Sequence, residues 1–501
     1  MGIFDNLALG FSVVSSLNNL AFCFLGVLLG TLIGVLPGIG PAGGIALLLP
    51  VTFHAPPLAS IIMLCGIMYG AQYGGSTTSI LVNIPGEASS IMTCLDGYAM
   101  ARKGRAGPAL GMAAFGSFIA GTGTIFILIF LAPPLAEFSL RFGSPEYFAL
   151  MAFGLTTLIY MIRGSMVKSL MMAFFGLILA SVGLDPVTSY PRFTYDILGL
   201  MDGIGMIQIV VGLFGISEVL ITLESSFKQE VFETKIKGLF PNLKDWKDSI
   251  LPILRGSILG FFLGIMPGMS TVIPTFLSYA LERKISKHPE KFGTGIIEGV
   301  AAPESANNGA AVGGMIPLLS LGIPTGPAMA IILGGMMIHG LKPGPMFITE
   351  SPEIFWGVIG SLYIGNLMLL ALNLPLIGLW VKMLKIPYAL LSALILLFCL
   401  FGSYTINNSL TDMVIMVIFG LVGYLMRKFD YDPAPLVLGL VLGPLVEVNF
   451  RRSLVMSNGS FLIFFQRPIA MVFMILVLAM LISPIFTKKR LAEDIMKQSA
   501  G

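Results

Sequence analysis

The sequence predicts an all-α, polytopic membrane protein made of two inverted-topology repeats with broken helices and re-entrant hairpins. Three observations carry that reading. Of 501 residues, 56% are apolar and 11% charged, with a mean hydropathy of +0.91, a balance foreign to soluble globular domains. Apolar runs such as 110–131, 204–223 and the stretch around 469–482 approach the ~20 residues that a helix needs to cross a bilayer. No alternating segments of a membrane β-barrel occur. Finally, the pattern Gly-x-x-x-Gly-x-x-Pro-Gly occurs twice, as Gly30, Gly34, Pro37, Gly38 and, 230 residues later, as Gly260, Gly264, Pro267, Gly268. Paired interruptions in apolar helices of two halves point to a transporter's binding site. By length, roughly 11–13 crossings fit.

The elements follow in order. Residues 1–224 form the expected first repeat. Its opening stretch, 1–19, has no Lys or Arg, so it is expected to face away from the cytoplasm. The helix holding Gly30 breaks at Pro37–Pro41, and its return ends in the uncharged 52–57. A second block follows, in which Gly74-Gly75 precedes Pro85 of Asn83-Ile84-Pro85-Gly86. The equivalent Gly313-Gly314 precedes Pro324 of Ile323-Pro324-Thr325, at an offset of 239 residues. The extra nine residues match the charged loop 282–291, so two motifs share one order with one explicable insertion.

Basic residues set the expected orientation. The stretch 225–249 carries Lys228, Lys235, Lys237, Lys244 and Lys247 and reads as a cytoplasmic linker; 250–450 is the second repeat. Residues 269–281 are too short for a separate crossing and run into Arg283, Lys284, Lys287 and Lys291, which predicts a hairpin tipped at Pro267-Gly268 that returns to the cytoplasm. Alternation places 102–105 and 163–168 inside, and 133–145 and 185–202 outside. Lys382, Lys385, Arg427, Lys428 and 488–490 fall inside. Residues 451–501 supply a last crossing and a cytoplasmic tail. Arg451-Arg452 falls outside, against the rule. A parallel repeat is the alternative.

Proline and glycine at the breaks free backbone carbonyls and amides, which in hydrocarbon must be paired or line a polar cavity. A packing kink is the competing reading for either motif alone. Near the breaks lie Ser76, Thr77, Thr78, Ser79 and Asn83 in the first half, and Ser270, Asn307, Asn308 and Thr325 in the second. Such hydroxyls and amides offer hard oxygen ligands to a small cation and donors to a carboxylate. Helix N-termini at breaks hold anions without a full positive charge. Glu304 and Glu298 are carboxylates near the membrane interior and functional candidates on that ground. Cation coordination, proton carriage and a structural hydrogen bond all stay open for Glu304, and Glu298 needs no function if it only ends the cytoplasmic loop. Asp96 and Glu87 are weighed alike.

Other chemistries find no support. Gly38-x-Gly40-x-x-Gly43 lacks the strand that a dinucleotide fingerprint requires. There is no nucleotide-binding Walker loop, no HExxH motif and no Asp-rich metal pair. His54, His288 and His339 are scattered. The four cysteines, Cys23, Cys65, Cys94 and Cys399, sit singly in apolar surroundings and read as packing residues. No signal peptide is expected, and the acceptor patterns at Asn407 and Asn458 read as chance. No catalytic residue, cofactor, nucleic-acid partner or metal beyond a sodium ion is expected. The rival functions are a channel or scaffold subunit and a membrane-embedded enzyme; the latter would need a catalytic cluster on facing helices.

The blocks 30–53, 73–90 and 298–345 resemble the TctA family, the large membrane subunit of bacterial tripartite tricarboxylate transporters, and the resemblance spans essentially the whole chain. It implies a secondary transporter of the bacterial inner membrane, driven by a sodium ion or proton gradient. Its implied partners are a small four-helix membrane subunit (TctB-like) and a periplasmic solute-binding protein (TctC-like) that delivers citrate-like di- or tricarboxylates. An elevator-like movement of the domain holding the breaks is expected. On that footing Pro37, Gly38, Gly40, Ser76, Thr77, Thr78, Asn83, Pro267, Gly268, Ser270, Asn307, Asn308 and Thr325 are expected to bind substrate. Glu304, Ser305 and Glu298 are expected to serve the coupling ion.

Overall fold

In a computed structural model of the chain, the described residues are 2–36, 38–161, 165–185, 188–224, 238–384 and 388–482. Among them, regular structure is almost wholly helical. The first half holds α1 (Ile3–Val14), α2 (Leu17–Val35), α3 (Gly40–Thr52), α4 (Pro57–Val82), α5 (Ala106–Ser139), α6 (Ser144–Met161), α7 (Met166–Ala180) and α8 (Met206–Glu224). The second holds α9 (Leu243–Ile265), α10 (Val272–Ile285), α11 (Glu298–Leu321), α12 (Pro327–Ile338), α13 (Pro352–Asn373), α14 (Tyr388–Asn407), α15 (Leu410–Lys428), α16 (Ala434–Met456) and α17 (Pro468–Ile482). Nine of the described helices are long and apolar enough to cross a membrane, fewer than the crossings expected from length. Much of the difference lies in short apolar helices, including the return arm α3. Helix α9 begins at Leu243, inside the stretch read as linker, because Asn242 and Asp245 form a reciprocal capping box there.

Two helix pairs make the framework. Along α2, Gly26, Gly30 and Gly34 face the backbone of Met63, Ile67 and Ala71 on α4; along α9, Gly256, Gly260 and Gly264 face Ala302, Ala306 and Ala310 on α11. A methyl group at Gly30 would lie 2.5 Å from the Ile67 carbonyl oxygen, so only glycine lets the two backbones approach this closely. The facing residues sit at the same 230- and 239-residue offsets as the sequence motifs. The partner helices also end alike. α4 closes on Asn83 (φ 59°) and α11 on Gly322 (φ 69°), both left-handed and both followed by Ile-Pro. Left-handed caps favour Gly and Asn, and the proline stops the helix.

Each pair carries a short return arm. α3 follows α2 through a turn at Gly38 (φ 97°), and α10 follows α9 through a turn at Gly268 (φ 84°). Gly38 rests on the Glu218 carboxylate of α8, and Gly268 on the backbone at Thr157–Leu158 of α6.

The non-helical exception is a two-stranded antiparallel ribbon pairing 183–184 with 191–192. It is tied to α16: Arg192 makes a two-pronged bond to Glu447 (2.6 and 3.2 Å), and Arg451 bonds Asp185 (2.8 Å) and Glu447 (2.7 Å). In this network the charge of Arg451, the arginine that departs from the expected orientation rule, is matched locally by two carboxylates.

Candidate functional site

The breaks of the two halves meet. Between them lies a cavity of about 40 Å³ whose wall includes Pro41 of α3, Gln72 of α4, Ser270 and Thr271 of the second turn, and Thr325–Gly326 of the break after α11. Three helices of 12 to 14 residues, α3, α10 and α12, start at this wall. The first amides of a helix have no partner inside it, and the aligned peptide dipoles leave that end positive. The second turn is also stitched to the break, because the Gly268 and Ser270 amides both donate to the Thr325 carbonyl at 3.1 Å. Ser270 pays for that position with a left-handed backbone (φ 51°). Gln72 is buried and its Oε1 has no hydrogen-bond partner, a costly arrangement unless a ligand or water satisfies it.

A second centre surrounds Glu304, which is 2% exposed. Its carboxylate accepts hydrogen bonds from Ser76 Oγ (2.7 Å), Thr93 Oγ1 (2.5 Å) and Ser117 Oγ (3.3 Å). Those three hydroxyls come from α4, the short helix Ile91–Thr93 that follows the break after α4, and α5. Near it, Glu87 accepts from Asn307 Nδ2 at 2.8 Å and from Ser89 Oγ. The amide oxygens of Asn307 and Asn308 are buried without a partner. Beside the Glu304 cluster is a void of about 10 Å³ bounded by Tyr73, Ser76, Thr77, Ser117 and Asn373, room for roughly one water or small cation.

The sequence-predicted residues therefore divide. Ser270 and Thr325 line the cavity between the breaks; Gly268 shapes its turn, and Gly40 opens α3 beside it. Pro37 lies outside the described residues, and Pro267 packs on Gly154 of α6. Ser76, Glu304 and Thr77 belong to the second centre, with Asn307 and Asn308 alongside. Thr78 Oγ1 donates to the Val35 carbonyl at 2.7 Å and so closes the end of α2, while Asn83 caps α4. Ser305 Oγ donates to the Gly116 carbonyl at 3.2 Å, a helix-to-helix contact. Glu298 starts α11, six residues or roughly 9 Å of helix from Glu304, so the two cannot share one ion.

Sequence reasoning missed Gln72, Thr93 and Ser117. Gln72 left a trace, a lone amide in an apolar run; Thr93 and Ser117 left none. Asp96 has a clear structural task. Wholly buried, it accepts hydrogen bonds from Tyr279 Oη (2.8 Å) and from the amides of Gly293 (2.9 Å), Gly295 (2.7 Å) and Ile296 (3.0 Å). It fastens the loop before α11 to the first half. The four cysteines are buried and free, as packing residues are. Among the described residues, no cluster of three or more His, Cys, Asp or Glu side chains could hold a metal ion.

Long apolar helices, two interrupted helix pairs and a polar cavity at their meeting point define a multi-pass membrane transport protein. Residues 20–438 match the tripartite tricarboxylate transporter TctA family, and the chain belongs to that family, which is one of transporters and not of enzymes. It is 49% identical, over 94% of both chains, to an uncharacterized 52.8 kDa protein in the TAR-I ttuC' 3' region of Agrobacterium vitis. An uncharacterized protein in the TAR-II ttuC' 3' region of the same organism is 51% identical over 42% of this chain and 87% of its own length. No solved structure matches the chain. Family membership implies partners within a three-component transporter.

Proposed function

We infer that the chain is the membrane subunit that carries di- or tricarboxylates across the bacterial inner membrane, by a secondary mechanism drawing on a sodium or proton gradient. The observation that carries this reading is the convergence of three helix N-termini with Ser270, Thr271, Thr325 and Gln72 on one cavity between the breaks. That donor set suits carboxylate oxygens, and no Lys or Arg lines it. An anion held without a fixed cation gains from a cation travelling with it, and the Glu304 centre is the place for that charge. Ser76, Thr93 and Ser117 already orient the Glu304 carboxylate, and the unpartnered Asn307 and Asn308 oxygens nearby are further ligands for a cation.

At about 40 Å³ the cavity holds roughly three waters, so carboxylate entry requires the two sets of breaks to part. An elevator-like shift of the framework pairs would do this. The two halves are proposed to insert in opposite senses, and the substrate to arrive from a periplasmic solute-binding protein with the small membrane subunit alongside. The test is uptake of labelled carboxylates by the reconstituted three-component complex under imposed sodium or proton gradients. Accumulation against a gradient, lost in Gln72→Ala and Thr325→Ala, supports the reading; simple equilibration of substrate would make the chain a channel.

A further inference from the structure

A second concavity, far larger than the cavity between the breaks, lies at the base of α9, α10 and α11 and measures about 910 Å³, the size range of small-molecule sites. Its cations come from three separate parts of the chain. Lys244 and Lys247 stand on the first turns of α9, Lys287 and Lys291 follow α10, and Lys103 and Arg105 come from the turn before α5.

The acidic residues of the wall do not neutralise them. Asp245 is held by Arg105 at 2.5 Å, and Glu282 by Arg255 at 2.6 and 3.0 Å. Only Asp248 and Glu298 remain in the wall to face the lysines. Lys103 donates to the Thr294 carbonyl. Lys244, Lys247, Lys287 and Lys291 make no ion pair among the described residues. Helix α11 opens onto the same concavity with no side-chain cap on its first amides, which adds the positive end of a 24-residue helix. Like charges gathered in a concave, low-dielectric wall focus potential and concentrate counter-ions.

We propose that this basin is a binding site for a multivalent anion, one carrying two or more carboxylate or phosphate charges, distinct from the transport cavity. The unpaired lysines reach the basin from α9 and from the loop after α10, and Arg105 and Arg255 are already held by their carboxylates. The same chemistry is offered by a dissolved polyanion and by the headgroup of an anionic lipid.

The experiment is isothermal titration of the purified full chain in neutral detergent with pyrophosphate, at constant ionic strength set by sodium chloride. Saturable binding is expected, weakened at least about tenfold in Lys287→Gln/Lys291→Gln and in Lys244→Gln/Lys247→Gln. It should be unchanged in Lys342→Gln, which lies outside the basin. Absence of saturable binding, or an affinity equal to the parent chain's in both double variants, overturns the proposal. These lysines are exposed, so glutamine leaves the fold intact, to be checked by circular dichroism. Repeating the titration in nanodiscs of phosphatidylglycerol and of phosphatidylcholine names the source. Pyrophosphate displaced only in the anionic discs supports the site with a lipid occupant; equal affinity in both supports it with a dissolved one.

Discussion

Replacing Glu304 separates coupling from folding. Its carboxylate is buried and receives three hydroxyl hydrogen bonds, two on Oε2 and one on Oε1. Glutamine keeps the volume and one acceptor oxygen. The hydroxyl facing the new amide must turn from donor to acceptor, which a hydroxyl rotor can do. The Glu304→Gln chain should therefore stay within about 1.5 kcal/mol of the parent in stability. Alanine leaves a cavity and strands Thr93 and Ser117, whereas Ser76 can fall back on the Gln72 carbonyl at 3.1 Å. At about 1–3 kcal/mol for each stranded group, plus the cavity, Glu304→Ala should lose at least about 3 kcal/mol. Denaturation midpoints in detergent read both stability changes, and uptake in proteoliposomes across sodium concentration and pH reads coupling. The Gln variant should fold normally but lose its dependence on the coupling ion. Unchanged sodium and pH profiles would remove Glu304 from coupling, and an alanine variant as stable as the parent would refute the hydrogen-bond reasoning.

Other consequences are as direct. Pro267→Ala with Gly268→Ala should abolish uptake while membrane insertion persists, since a methyl at Gly268 meets the Leu158 amide at 2.5 Å with φ at 84°; normal uptake would remove the second turn from the site. Asp96→Asn sets an amide NH2 against donors from Tyr279 and three backbone amides and should cost about 1.5–3 kcal/mol, seen as a lower unfolding midpoint with surface expression as control. Gly260→Ala should cost about 1–3 kcal/mol by forcing α9 off α11, and Gly30→Ala should do the same for α2 and α4. Arg192→Gln should loosen the pairing of 183–184 with 191–192, read as faster proteolysis next to those strands.

The breaks were legible because proline and glycine act through the backbone, whose rules need no partner. Gly38 and Gly268 mark the turns by themselves. The order of the two motifs also carried over into space, since equal offsets recur in the facing residues. What stayed hidden depends on residues distant in sequence. Nothing near Ser117 says that it will face Glu304, 187 positions away. Arg451 looked misplaced until Asp185 and Glu447 were seen beside it. Glu298 and Glu304 read alike as intramembrane carboxylates, yet one sits in the wall of the basin and the other among hydroxyls in the core. Asp96 could be singled out only as a costly charge; its four donors belong to a loop and a helix nearly two hundred residues on.

The glycine faces of α2 with α4 and of α9 with α11 have a mechanical consequence. Two helices in backbone contact over three successive turns behave as one stiff beam, because neither can slide without lifting over the carbonyls opposite. Bending or slippage inside either beam is thereby suppressed, and displacement must be taken up at the seams between the beams and their neighbours. Those seams are the turns resting on α6 and α8 and the wall around Gln72. Cysteine pairs placed across a beam should form disulfides without stopping turnover, whereas pairs across a seam should freeze it.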